Sequence, residues 1–154
     1  MDTTPKTTHS AGAFFTAEQK KRILNAIQNA ELDTSGEIRV HIEKSCAGDV
    51  LDRAAYIFGK LNMHKTELRN GVLFYLAYEN RKFAFIGDKG IHAVVPEDFW
   101  EGLKMKALIR FREGDFTEGL VEAIAATGEK LKSFFPHKRD DVNELKDEIS
   151  FGEN

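Results

Sequence analysis

The sequence predicts an α/β fold: a three-layer α/β/α sandwich on a small mixed sheet. Three observations support this prediction: amphipathic helical segments flank the strands, one strand–helix–strand unit is present, and two apolar runs are separated by a short polar break. The predicted order is α-β-α-β-β-α-α, so helices can cover both faces of the sheet. A chain of 154 residues, 42% hydrophobic, is the usual size of one domain with one core.

The first helix is predicted to begin at Thr16, because Thr16 and Gln19 have the spacing of a capping box. Its apolar face is formed by Ile23, Leu24, Ile27 and Ala30. The first strand is predicted over residues 37–43, where polar residues alternate with Ile38, Val40 and Ile42. This alternation places His41 on the polar side of the strand, and we therefore expect His41 at the surface.

A second helix, capped by Asp49, is predicted to bury Leu51, Ala54, Ala55, Phe58 and Leu61. The nearly continuous apolar runs at residues 71–78 and 82–86 predict a hairpin of two strands covered on both faces. Since a strand–helix–strand unit places its strands in parallel, the first two strands should be parallel and the third antiparallel.

Two further helices are predicted after the sheet, one opened by Pro96 and one capped by Asp115 and ended by Pro136. We predict a disordered N-terminus at residues 1–13, the α/β domain at 14–136, and an acidic tail at 137–154 that is separable from the fold. The tail holds six acids and three bases, so it accounts for the formal net charge of −3.

Composition excludes several classes of function. The chain has no net basic charge of the kind that nucleic-acid binding requires, and no apolar stretch near the roughly 20 residues of a membrane span. Cys46 is the single cysteine, so no intramolecular disulfide can form. The first ten residues lack the apolar run of a secretory signal. We therefore expect a cytoplasmic protein.

Several short segments, in their order, resemble the TPM domain family. They are Ser35-Gly36-Glu37-Ile38, Arg69-Asn70-Gly71-Val72-Leu73, Arg81-Lys82, Gly87-Asp88-Lys89-Gly90-Ile91, and Phe111-Arg112-Glu113-Gly114-Asp115-Phe116 followed by Gly119-Leu120. The resemblance runs from about Thr16 to Pro136. It implies an α/β/α fold and either phosphatase activity linked to divalent cations such as calcium or a role as an accessory or repair factor for membrane complexes. His92 stands where many members carry a glutamate.

Strand direction predicts a candidate metal site at one edge of the sheet. Glu37 and Asn70 lie at the starts of parallel strands, and Asp88 lies at the end of the antiparallel strand. Carboxylate, amide and backbone oxygens suit a hard cation, Ca²⁺ or Mg²⁺. His64 and His92 in the flanking loops are candidate catalytic residues, because histidine exchanges protons near neutral pH. The alternative is that these acids serve only turns and caps.

The opposite edge carries a second polar loop, with Ser45, Cys46, Gly48, Asp49, Asp52, Glu79 and Asn80. A helix N-terminus there could seat an anion, but Asp49 and Asp52 would repel a phosphate, so helix capping is favoured. Cys46 lacks the arginine cradle of a cysteine phosphatase until Arg53, which favours a packing role.

The acid-bearing edge predicts a domain that binds a divalent cation, and the resemblance to the TPM family implies weak, metal-dependent hydrolysis of phosphate esters. The alternative is a non-catalytic accessory or metal-sensing module that acts through a protein partner. In the phosphatase the cation would polarise a phosphoryl oxygen, whereas in the non-catalytic module it would only affect contacts with the partner.

Overall fold

The computed structural model describes residues 11–137 and 149–152. A four-stranded mixed sheet with the order β3-β2-β1-β4 lies between two helical layers. The strands are β1 (Glu37–Glu43), β2 (Gly71–Ala77), β3 (Lys82–Gly87) and β4 (Ile149–Phe151). The helices are α1 (Ala17–Glu31), α2 (Val50–Lys60), α3 (Lys89–His92), α4 (Glu97–Arg112) and α5 (Phe116–Phe134). The predicted α/β/α class is confirmed.

The sheet has the predicted pairing. β1 is parallel to β2, with Glu37 opposite Gly71, and β2 is antiparallel to β3, with Val72 opposite Gly87. All seven residues of β2 are buried, as its continuous apolar sequence predicts for a strand with neighbours on both sides and helices on both faces.

Each face of the sheet has its own apolar core. On one face, α1, α4 and α5 pack over the larger core, to which β1 and β2 contribute Ile38, Val40, Ile42, Val72, Phe74 and Leu76. On the other face, α2 and a 3₁₀ turn at Met63–Lys65 cover a smaller core that includes Leu73, Tyr75 and Ala77. The alternation of side chains along each strand divides the two cores.

Local capping chemistry sets the starts of three helices. Thr16 and Gln19 form the predicted capping box, with Gln19 N donating to Thr16 Oγ1 at 3.1 Å. Asp49 accepts from Asp52 N at 3.0 Å, and Asp115 accepts from Glu118 N at 3.3 Å. The first turn of each helix thus has a side-chain acceptor for a backbone N–H that the helix itself leaves unpaired.

The buried face of α2 differs from the prediction. Ala54, Ile57 and Phe58 are buried, whereas Leu51 is 55% exposed and Ala55 is exposed as well. The helix lies over β2 and β3 at one end of the smaller core, so only a narrow stripe of its surface meets the sheet. Of the five apolar positions assigned to this face, Ala54 and Phe58 are buried and Leu61 packs half-buried against the smaller core, while Ile57 is buried in addition.

The two chain ends also differ from the prediction. Ala11–Ala13 form a turn of 3₁₀ helix with Ala11 fully buried, within the segment expected to be disordered. In the expected tail, Ile149–Phe151 form β4, which pairs in parallel with β1 from Val40 to Ile42. Ile149 and Phe151 pack against the larger core, so at least this part of residues 137–154 belongs to the fold.

No helix within residues 11–137 and 149–152 has both the length and the apolar character needed to cross a bilayer.

Candidate functional site

The sheet brings the three predicted metal-site residues to one edge. Glu37 N donates to Asn70 O at 3.2 Å, and Asp88 N donates to Gly71 O at 2.9 Å. Because Glu37 is in register with Gly71, Glu37 and Asp88 flank Gly71 across the sheet. All three predicted residues are buried.

Asp88 is engaged by its neighbour in the structure. Arg69 Nε donates to Asp88 Oδ2 at 2.6 Å and Arg69 Nη2 donates to Oδ1 at 2.8 Å, which makes a bidentate ion pair. Oδ1 also accepts from Lys89 N at 2.8 Å. Burial raises the pKa of Asp88, but the hydrogen bonds from Arg69 and from the Lys89 backbone outweigh it and leave that pKa below its ordinary value.

The backbone at this edge is tightly packed. Arg69 has a φ of 52°, in the left-handed region that side chains other than glycine seldom adopt. Gly90 N donates to Arg69 O at 2.9 Å, and a Cβ on Gly90 would lie only 2.2 Å from Leu68 O. The loop before β2 and the start of α3 therefore hold Arg69 against Asp88 by a backbone contact that only glycine permits.

The two candidate catalytic histidines lie at the rim of this edge. His64 is in the 3₁₀ turn and His92 is the last residue of α3, and both are exposed. The charge of His64 is among the influences that lower the pKa of Asp88. Within the part of the chain that the structure describes, no three or more His, Cys, Asp or Glu residues are arranged to hold a metal ion. A cation here would therefore depend on backbone and amide oxygens in addition to Glu37 and Asp88.

The second polar loop is held by hydrogen bonds between its backbone and the side chains of Asn80 and Lys82. Cys46 N donates to Asn80 Oδ1 at 2.5 Å, and Lys82 Nζ donates to Cys46 O at 3.1 Å and to Gly48 O at 3.0 Å. Cys46 is buried in the smaller core, and Asp49 caps α2. The favoured roles of packing for Cys46 and capping for Asp49 match these contacts.

A buried polar network that the sequence did not predict lies on the α2 side of β1. His41 is only 5% exposed and Glu43 is fully buried, so the expectation of a surface His41 is wrong. Alternation correctly separates the polar face of β1 from its apolar face, but it does not report what covers the polar face. Here α2 and β4 both contribute polar partners.

Glu43 is the centre of this network. Its carboxylate accepts from Arg53 Nε at 2.9 Å and from Arg53 Nη2, and also from the Tyr75 hydroxyl. Burial raises the pKa of Glu43, but the bonds from Arg53 and Tyr75 outweigh it, so the pKa is lowered and Glu43 is ionised at neutral pH. Burial, followed by the bond to Glu43, raises the pKa of the Tyr75 hydroxyl.

His41 joins this network to β4. His41 Nδ1 lies 2.6 Å from Ser150 Oγ, and Nε2 lies 3.5 Å from Glu43 Oε1. Burial lowers the pKa of His41 more than Glu43 raises it, so the imidazole is neutral at pH 7. A cleft of about 490 Å³ opens over these groups, and its lining includes Arg53, Lys60 and Gly152. The alternation in β1 sets His41 and Glu43 on one face of the sheet, but the three residues of β4 are too few to predict Ser150 as their neighbour.

Comparison with known proteins agrees with the architecture. The model of the TPM domain family matches residues 9–130. The chain belongs to the TPM domain family. No curated protein matches it. The resemblance drawn from the short segments is thus confirmed over most of its length.

Solved structures with this fold include proteins from three bacteria. This TPM domain is 48% identical to the BA42 protein of Bizionia argentinensis, with a TM-score of 0.85 over 90% of this chain and 96% of that one. The N-terminal domain of a P. gingivalis protein is 19% identical, with a TM-score of 0.66 over 81% of this chain and 82% of that one. The N-terminal domain of the cg2496 protein of Corynebacterium glutamicum is 12% identical, with a TM-score of 0.63 over 97% and 91%. The last two share the fold alone.

Proposed function

We propose that this TPM domain binds a divalent cation, calcium in preference to magnesium, at the edge formed by Glu37, Asn70 and Asp88. The observation that supports the proposal is the register, which sets the two acids on either side of Gly71. The backbone of Met63 packs closely against Gly71, since a Cβ there would lie 3.2 Å from Met63 O.

The preference for calcium follows from the mixture of ligands. Two carboxylates with amide and carbonyl oxygens from two loops form an irregular shell, which calcium accepts at six to eight ligands. Magnesium requires a near-octahedral shell with shorter bonds and retains its waters. The lowered pKa of Asp88 keeps that carboxylate ionised at neutral pH, so binding requires no proton release from it.

In this proposal, Arg69 is the counter-charge that the cation replaces. Arg69 contacts both carboxylate oxygens of Asp88, so a cation that binds Asp88 competes with the guanidinium for the same lone pairs. Calcium binding would then release an arginine at the surface, which is a means by which a metal-sensing module could signal to a protein partner.

Calcium and magnesium titrations followed by backbone amide shifts test the site. The largest shifts are expected at residues 35–38, 68–72 and 87–92, with saturation at lower calcium than magnesium concentration. Shifts centred on residues 45–53 and 79–81 would show that the cation binds the opposite edge. An unchanged spectrum at millimolar calcium and magnesium would disprove cation binding.

Hydrolysis of phosphate esters is the second candidate function, and the position of His64 supports it. His64 lies near enough to Asp88 for its charge to lower the pKa of that carboxyl. A cation on Asp88 would polarise a phosphoryl oxygen, and His64 or His92 would carry protons. Slow turnover of p-nitrophenyl phosphate that is lost on chelation and in Asp88→Asn would support hydrolysis. Cation binding without turnover would instead favour the accessory or metal-sensing module.

A further inference from the structure

The network at His41 has the parts of a nucleophilic site, and it lies on a different part of the sheet from the acid-bearing edge. A hydroxyl, an imidazole and a carboxylate lie in a row from Ser150 through His41 to Glu43, and all three line the same cleft. We propose that Ser150 is a nucleophile with His41 as its general base, and that this site hydrolyses small carboxylic esters. Glu43 is a positioning residue for His41.

The surroundings of His41 decide which of its nitrogens carries the proton. Nε2 faces the ionised carboxylate of Glu43 at 3.5 Å, so the N–H lies on Nε2, and a lone pair at Nε2 would be repelled. Nδ1 then presents its lone pair to Ser150 Oγ at 2.6 Å, and the hydroxyl donates to it. A serine that donates to a neutral imidazole is placed for attack. The two ring nitrogens exchange the roles that they have in the chymotrypsin arrangement.

The unpartnered nitrogen of His41 supports a functional role. The side chain is 94% buried, yet among the described residues Nε2 has no partner within hydrogen-bonding geometry. Buried polar atoms are normally paired, and catalytic hydrogen bonds are often long before substrate binds. A small movement of His41 toward Glu43 would bring Nε2 within hydrogen-bonding distance of the Glu43 carboxylate.

Glu43 is held too firmly to move toward another partner. Two bonds from Arg53 and one from Tyr75 fix its carboxylate, and the Tyr75 ring lies parallel to the His41 ring at 6.0 Å. Directly after β4, Gly152 packs against Glu43, because a Cβ on Gly152 would lie 2.7 Å from Glu43 Cγ. The base is therefore oriented by rigid elements from three strands and one helix.

The cleft suits a small ester. Its volume of about 490 Å³ is in the range of ligand pockets, and Ile57, Leu61 and Phe151 give it an apolar part. Lys60 also lines it, and its positive charge favours the oxyanion of a tetrahedral intermediate and the carboxylate product.

The reaction runs in two balanced steps. Ser150 Oγ bonds to the ester carbonyl carbon as its proton passes to His41 Nδ1; the C–O bond to the alcohol then breaks, and Nδ1–H returns the proton to the leaving oxygen. Water then attacks the acyl-serine with His41 again taking and returning one proton. The net change is ester plus water to carboxylic acid plus alcohol, with no oxidant or metal required.

Labelling with a fluorophosphonate probe tests the nucleophile in the full-length protein. Mass spectrometry of the unmodified sequence should place the label on Ser150, and turnover of p-nitrophenyl acetate should fall at least tenfold in Ser150→Ala. Ser133→Ala, at an exposed serine of α5, is the matched control and should retain full labelling. Absence of label, or label on another residue, would overturn the proposal regardless of how any variant folds.

A pH profile separates the positioning role of Glu43 from a purely structural one. The acid limb of the ester-hydrolysis rate reports His41, which faces Glu43 on β1, Arg53 and Lys60 on α2, Tyr75 on β2 and Ser150 on β4. In Glu43→Gln the carboxylate that favours the protonated imidazole is gone, so this limb should move to lower pH. An unmoved limb in a folded Glu43→Gln would overturn that role.

Discussion

Arg69 and Asp88 form a bidentate ion pair at the edge of the sheet, with nitrogen–oxygen distances of 2.6 and 2.8 Å. The pair joins the left-handed residue before β2 to the cap of α3, so one contact fixes the two loops that carry the candidate metal site. It also gives Asp88 a charged partner in the absence of any cation.

Replacing Arg69 should show whether this arginine competes with calcium for Asp88 or instead holds the calcium site in shape. If Arg69 and calcium share the Asp88 oxygens, Arg69→Gln should bind calcium several-fold more tightly, as measured by titration calorimetry. Arg110→Gln, which removes a bidentate pair with Glu122 between α4 and α5, is the matched control and should leave calcium affinity unchanged. Weaker calcium binding in a folded Arg69→Gln would show that the arginine builds the site.

Asp88 should make stability depend on pH in a defined direction. Its pKa is lower in the folded state than the ordinary value of 3.8, so its contribution to the free energy of unfolding is complete above that value and is lost as pH falls through the folded pKa. Asp88→Asn should cost roughly 1–2 kcal/mol at pH 7, since it removes charge-assisted hydrogen bonds. Urea unfolding should show a smaller difference in free energy of unfolding between the unmodified protein and Asp88→Asn below pH 3 than at pH 7. An equal difference at both pH values would contradict the lowered pKa of Asp88.

A side chain at Gly90 should destabilise the fold, because Gly90 packs directly against the backbone of the loop before β2. A Cβ at Gly90 would lie 2.2 Å from Leu68 O and 2.6 Å from Arg69 O, and backbone atoms there are held by hydrogen bonds. Gly90→Ala should therefore lower the thermal midpoint by about 4–8 °C, for a loss of about 2 kcal/mol. Gly48→Ala is the control, because a Cβ on Gly48 meets nothing within 4 Å. Equal midpoints for the two variants would show that the backbone of Leu68 and Arg69 can move away from the added Cβ without loss of stability.

The short strand β4 should contribute to stability. Phe151 is half-buried against the larger core and lies under Lys20 Nζ, 5.2 Å from its ring centroid. Phe151→Ala should cost about 1 kcal/mol and lower the thermal midpoint by about 2–4 °C. Met105→Ala, at a residue 67% exposed on α4, should change the midpoint by less than that. A midpoint unaffected by Phe151→Ala would restore the expectation of a tail separable from the fold.

Local patterns in the sequence were sufficient to predict the framework. The Thr16–Gln19 capping box, the alternation in β1 and the hairpin of β2 and β3 all depend on residues within a few positions of one another. The strand–helix–strand unit then required a parallel pair, and this direction alone predicted that Glu37, Asn70 and Asp88 share an edge. The hairpin and the edge are both present.

Contacts between distant parts of the chain decided the rest. β4 has three residues, too few for a period of two to be visible, and its partner β1 lies more than 100 positions earlier. The ion pair of Arg69 with Asp88, and that of Arg53 with Glu43, depend on loop and helix placement. The sequence by itself determined which residues form β1, β2 and β3 and which edge holds the acids, because periodicity and capping are short-range. Only the tertiary structure decided that His41 is buried between Ser150 and Glu43, because burial of a polar face depends on what packs over it.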